Sequence, residues 1–209
     1  MFPIITKFRK NLKINYLVIF LRYLIGYSFI PSGMIKLMGM RFTYIPVTNP
    51  IGYFFDALYQ SGIYWEFLGF FQLISALFLL SQRFAAIGAL LFFTIISNIF
   101  LITIGINFGN TRYVAGLLWL ASLFLLIWDY QKFLPLFNTT KKVFVENYMI
   151  EISFLKWEYL GIFLFIFHFF SSALMLHYKG YVSYGVPFIV SVLSISLTFF
   201  WKSKLNVSK

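Results

Sequence analysis

Six apolar blocks divide this chain, and each comes close to the length a lipid bilayer demands. They run over residues 16–37, 64–80, 84–106, 113–128, 159–177 and 184–201. A bilayer core is about 30 Å thick, so a helix needs about 20 apolar residues to cross it. Inside lipid every peptide group must find its partner within the protein, so a spanning segment is a helix or a strand of a closed barrel. Barrel strands alternate apolar and polar residues, and these blocks are continuously apolar. The expected fold is therefore an all-α polytopic membrane protein with six spans. Composition agrees: 61% of residues are hydrophobic and 11% are charged, against roughly 45–50% and about 25% in a soluble domain. An ordinary soluble enzyme, a disordered tail and a secreted disulfide scaffold are excluded. With no cysteine in the chain, thiolate catalysis, dithiol exchange and Fe–S ligation by the protein are excluded too.

The first block resembles a signal peptide in having Lys7, Arg9, Lys10 and Lys13 before it. Its apolar part is too long, Arg22 interrupts it, and no small-x-small cleavage site follows. It reads as a retained helix.

Lys and Arg number 17 against 6 acids, for a net charge of +11. There is no basic helix and no basic run interleaved with stacking aromatics, so nucleic acid is not the partner. The basic residues sit between the apolar blocks, where topology uses them. With the N-terminus inside, the cytoplasmic side carries Lys7, Arg9, Lys10, Lys13, Arg83, Lys132, Lys141, Lys142, Lys156, Lys202, Lys204 and Lys209. The outer side carries only Lys36, Arg41, Arg112 and Lys179. This bias puts both termini in the cytoplasm, with anionic lipid as the cytoplasmic-side partner. Trp65, Trp128, Trp157 and Trp201 fall at span ends, as an interfacial aromatic belt would place them, while Trp119 falls inside a span and is expected to pack.

The chain divides into a basic N-terminus (residues 1–15), a four-helix core (16–130), a polar cytoplasmic loop (131–157), a C-terminal hairpin (158–201) and a basic tail (202–209). Short turns at 81–83 and 107–112 force antiparallel neighbours. Within the core, Asn49-Pro50 supplies an N-cap and a first-turn proline. Ile51, Phe54, Phe55 and Leu58 then follow at helical spacing, and Gly62 can end the helix. An amphipathic helix at about 50–60 is expected flat on the outer face, as a structural seal or as a lid over a pocket.

Arg22 is the sharpest candidate for a site. A charge within a span is expensive, about 2.5–3.5 kcal/mol on insertion scales. Arg22, Gly26, Phe29, Gly33 and Lys36 lie on one stripe of the first helix. At 1.5 Å per residue, Arg22 stands roughly 9 Å above the inner interface, with no acid at its own depth. Its candidate partners are Gln72 or Ser75, Asp129, lipid phosphate, or a bound anion or carbonyl ligand. Lys36 and Glu66, both at outer span ends, form a candidate polar pair. Gln72, Asn98 and His168 complete the candidate ligand-binding set, although such residues in spans more often serve as interhelical hydrogen bonders or, for His168, as a hydrogen-bonded packing residue. His168 and His177 are about 13 Å apart in depth and cannot share a metal, so no metal site is expected and haem is disfavoured. P-loop, GxSxG, HExxH and GxGxxG motifs are missing, and the spans hold no pair of carboxylates for acid–base work. No catalytic residue is identified.

Three stretches together resemble the DoxX family of small bacterial membrane proteins. They are Arg22-Tyr-Leu-Ile-Gly26 with Phe29-Ile-Pro-Ser-Gly33-Met-Ile-Lys36, then Glu66-Phe-Leu-Gly69-Phe-Phe-Gln72, then Gln82-Arg83-Phe-Ala-Ala-Ile-Gly88. The resemblance covers about residues 16–130, and the loop at Asn49-Pro50 is similar to versions from bacteria of the Bacteroidetes type. The last two spans look like an added hairpin. The resemblance implies a four-helix core in the inner membrane, helix-packing roles for Gly26, Gly33, Gly69 and Gly88, and an association with redox systems. It implies no catalytic residue. Three functions stay open: an accessory or anchor subunit of a quinone-linked redox system, a small-solute or proton-coupled carrier, and a non-catalytic chaperone or scaffold. No resident cofactor is expected from the chain itself. A bound quinone or lipid and a membrane or periplasmic redox partner are the candidate associates.

Overall fold

Peptide groups in lipid have no water to bond, so apolar blocks close their own hydrogen bonds and become helices. The computed structural model describes residues 8, 9, 11–134, 154–179, 189 and 192–196. The helices are α1 (Leu12–Leu37), α2 (Pro50–Gln60), α3 (Ile63–Leu80), α4 (Ala85–Gly105), α5 (Thr111–Trp128) and α6 (Phe154–Lys179), with a 3-10 turn at Tyr130–Lys132 after α5. Among the described residues all regular structure is helical. Five helices, all but α2, are long and apolar enough to cross a membrane. The expected sixth span, at 184–201, lies almost entirely outside the described residues. So do the N-terminal residues 1–7, most of the loop at 131–157 and the tail at 202–209.

α1 is the axis of the bundle: 61% of its apolar stretch is buried, against 22% for α5. Asn11 caps it by accepting from the Lys13 backbone N–H at 3.0 Å. α3 runs antiparallel to α1, so that Gly26 meets Leu79 and Leu80 while Gly33 meets Gly69. A Cβ at Gly69 would stand 2.6 Å from the Gly33 carbonyl oxygen and 2.7 Å from the Leu37 amide nitrogen. Only glycine permits that approach. Lipid tails are as apolar as leucine, so close packing of this kind holds spans together where the hydrophobic effect does not.

α4 folds back on α3 in the same way. Gly88 abuts Leu79, and the Ser75 hydroxyl donates to the Gly88 carbonyl at 3.0 Å. α5 then lies against α4, where Trp119 stacks near Phe100 and donates to the Ser97 hydroxyl at 2.9 Å. α6 returns alongside α1 and parallel to it: Trp157 meets Tyr16 and Tyr23, and His168 meets Tyr27. The Gly161 backbone presses on the Leu80 carbonyl, leaving no room for a side chain. Phe29 and Phe92 stack at 3.9 Å in the centre of the core.

α2 closes the end of the bundle opposite the start of α1. The Asn49 side chain accepts from the Ile51 N–H at 2.9 Å, Pro50 opens the first turn, and Gly62 follows the C-cap at φ +57°. Arg41 pairs with Asp56 at 2.8 Å, and Phe55 sits between Phe42 and Phe108. The helix is thus fastened both to the segment after α1 and to the α4–α5 turn.

The aromatic-belt expectation is corrected for three tryptophans. Trp65, Trp128 and Trp157 are turned into the bundle, at 1%, 5% and 2% exposure. Their positions along the spans are interfacial in height, but a wide indole also fills the gap where packed helices splay. Trp65 satisfies its N–H inside, donating to the Met40 carbonyl at 2.9 Å. Trp201 lies outside the described residues.

Candidate functional site

Two buried polar clusters sit at opposite ends of the α1–α3 contact, and each is built around a cation of α1. Arg22 anchors the cluster at the end where α1 starts. It is 1% exposed. Its Nη2 donates to the Asp129 carboxylate at 2.6 Å and its Nη1 donates to Gln82 Oε1 at 3.1 Å. Asp129 is the C-cap of α5, itself buried, and also takes Lys132 Nζ at 2.9 Å. Nearby, Arg9 donates to the Gln131 side chain and the Trp128 carbonyl, and the Asn15 amide donates to the Arg9 carbonyl at 2.7 Å. The Arg22–Asp129 pair thereby ties α1 to the end of α5 and, through Gln82, to the turn between α3 and α4.

This corrects the expectation that Arg22 has no acid within its depth. Depth counting placed Asp129 at the interface, but the C-terminal end of α5 tucks beneath α1 and Arg22 reaches down to it. Gln72 and Ser75 are not Arg22 partners; Ser75 bonds to the Gly88 carbonyl. Gln82 was missed as a site residue. It stands in the turn between α3 and α4 at φ +59°, a conformation that L side chains rarely adopt. Such a conformation costs on the order of 1–3 kcal/mol and persists where surrounding contacts enforce it. Here the enforcing contacts are Arg22 and the Leu79 carbonyl, which accepts from Gln82 Nε2 at 3.1 Å. Gln82→Ala removes the acceptor and keeps the strain, whereas Gln82→Gly removes both. Gln82→Ala is expected to lower unfolding stability in detergent by about 1 kcal/mol more than Gln82→Gly.

Burial by itself would raise the Asp129 pKa, but the charges and hydrogen bonds of Arg22 and Lys132 outweigh it and hold the carboxyl below its ordinary 3.8. A depressed carboxyl stabilises the fold above its unfolded value, and that contribution is lost as pH falls through the lower folded value. The wild-type melting temperature is expected to fall steeply below about pH 4. In an Arg22→Met/Asp129→Leu double variant that acid-side fall is expected to be shallower.

Lys36 anchors the opposite cluster. It is 7% exposed, and its Nζ donates to the Ser32 carbonyl at 3.1 Å and the Ser32 hydroxyl at 2.8 Å. The faces of Phe42 and Trp65 each lie 4.9 Å from the ammonium. Gln72, 1% exposed, stands across from Ser32, with Oε1 3.4 Å from the Ser32 hydroxyl. Its Nε2 is buried with no acceptor. The expected Lys36–Glu66 pair does not form. Glu66 is exposed, because its neighbour Trp65 occupies the inward direction. Ring faces at about 0.5–2 kcal/mol each offset part of a desolvation cost of several kcal/mol per ion, and the charge itself stays uncompensated among the described residues.

The other candidates lie apart from both clusters. Asn98 is exposed on α4, its amide donating to the Thr94 carbonyl of its own helix at 2.9 Å. His168 is 1% exposed on α6, edge-on to Tyr27 at 4.6 Å. It borders an apolar cavity of about 50 Å³ with Phe20, Tyr23 and Leu164. A closed cavity that holds benzene measures roughly 150 Å³. Gly26, Gly33, Gly69 and Gly88 all stand at helix–helix contacts. No family model, curated protein or solved structure matches the chain.

Proposed function

We propose that this chain is a DoxX-like, non-catalytic accessory or anchor subunit of a membrane redox or quinone-linked system. We place it in the bacterial inner membrane with both termini cytoplasmic. The observation that carries the non-catalytic part is dispersal. Arg22, Gln72, Asn98 and His168 occupy four separate surroundings: an ion pair, an α1–α3 contact, an outward helix face and an aromatic contact. A carrier needs polar groups that succeed one another along a path, and these do not. The redox association is supported by the sequence resemblance. The orientation is supported by the sequence-wide bias of Lys and Arg; among the described residues Arg9, Lys13, Arg83, Lys132 and Lys156 fall at the end where α1 starts, and Lys36, Arg41, Arg112 and Lys179 at the other.

The scaffold reading is favoured by one observation, that both terminal nitrogens of Arg22 hold helices together. Purification from native membranes in mild detergent separates the two. An anchor subunit brings down a quinone or an oxidoreductase partner in near-stoichiometric amount. Recovery of neither overturns the redox reading in favour of the scaffold.

A further inference from the structure

The two clusters differ in one respect: Arg22 has a carboxylate and Lys36 has none. Among the described residues the acids nearest Lys36 in the fold are otherwise disposed. Asp56 is held by Arg41, and Glu66 is exposed and makes no ion pair with it. An ammonium has three N–H donors and no acceptor. Two are directed at Ser32, and the aromatic faces of Phe42 and Trp65 flank the group. Across the Ser32 hydroxyl, the Gln72 amide holds a second donor, 1% exposed and without an acceptor. Turning that amide over would exchange a surplus donor for a surplus acceptor and leave the positive charge as it was. A neutral ligand such as water or a carbonyl would satisfy the donors but not the charge. An oxygen that accepts hydrogen bonds and carries a negative charge would satisfy both the ammonium and the Gln72 donor.

We propose that Lys36, Ser32 and Gln72 form a binding site for an anionic oxygen group, a phosphate or a carboxylate, at the α2-covered end of the bundle. The group has two sources, a lipid headgroup from that leaflet or a small soluble anion. The site is independent of any redox association, since it follows from charge and donor count alone. Lys36 supplies the charge from α1 and Gln72 supplies the second donor from α3. Ser32 sets the position of both, and the rings of Phe42 and Trp65 flank the ammonium.

The test uses the full chain in phosphatidylcholine nanodiscs. Melting temperature is measured while phosphatidylglycerol is mixed into the discs, or while inorganic phosphate or acetate is added at constant ionic strength. A saturable rise with phosphatidylglycerol alone assigns the lipid source, and one with phosphate or acetate assigns the soluble source. In either case Lys36→Met is expected to abolish the rise, and Gln72→Leu to raise the half-saturating concentration at least fivefold. Arg83→Gln, an exposed charge at the far end, is expected to leave it unchanged. If Lys36→Met does not fold, Gln72→Leu decides alone. No rise with any of the three probes overturns the proposal. So does a rise that Lys36→Met and Gln72→Leu leave intact, which would be general screening of a chain with net charge +11.

Discussion

Asp129→Ala is expected to destabilise the protein by about 3–5 kcal/mol, measured by thermal or chemical unfolding in detergent. The reason is what remains. Arg22 stays 1% exposed on the central helix, and its carboxylate at 2.6 Å is gone. Gln82 offers one neutral oxygen and cannot balance the charge. The paired change Arg22→Met/Asp129→Leu removes charge and counter-charge together, and it is expected to recover most of the loss. Replacing a buried ion pair by apolar groups of similar size is often neutral or better. A surface-type ion pair would behave differently: its loss costs about 0–1 kcal/mol and no rescue would follow.

Gly69→Leu is the second large effect. A Cβ there meets the Gly33 carbonyl oxygen and the Leu37 amide nitrogen, both backbone atoms of α1, at 2.6 and 2.7 Å. Backbone cannot turn aside as a side chain can, so the helices must separate along their length. A loss above about 3 kcal/mol is expected, at or beyond the upper range for overpacking. The glycines then form a graded series. At Gly26 the nearest obstacle is the Leu80 methyl, a mobile side-chain end, so Gly26→Ala is expected to cost about 1 kcal/mol. At Gly105 nothing lies within 4 Å, and Gly105→Ala is expected to be neutral or stabilising by up to about 1 kcal/mol. The order of melting temperatures among these variants is the check.

Much of this architecture can be read from residue types because lipid leaves the backbone few choices. The spans follow from apolar length, and α2 follows from Asn49, Pro50 and the spacing of Ile51, Phe54, Phe55 and Leu58. The packing glycines follow from their one-sided spacing on α1. What the sequence conceals is direction around a helix axis. Counting residues sets the height of Glu66 and Lys36 but not that Trp65, one residue away, takes the inward position. The same ambiguity turned Asn98 outward, where its own helix satisfies it. Gln82 is harder still. Its role depends on a left-handed backbone in a tight turn, and glutamine is not among the residue types that announce that conformation. Asp129 was visible as an acid after a span, but its burial depends on how α5 ends against α1.

The bundle's sorted charge makes the account testable without disturbing its core. The chain contains no cysteine, so single cysteines introduced at exposed or half-buried positions report sidedness cleanly. The most direct measurement is labelling of Lys13→Cys, Arg83→Cys, Arg41→Cys and Arg112→Cys variants in spheroplasts with a membrane-impermeant maleimide. Labelling is expected at positions 41 and 112, and none at 13 and 83 until the membrane is opened. Labelling of 13 or 83 from outside, or equal labelling of all four, would contradict an antiparallel membrane bundle with its α1-start end in the cytoplasm.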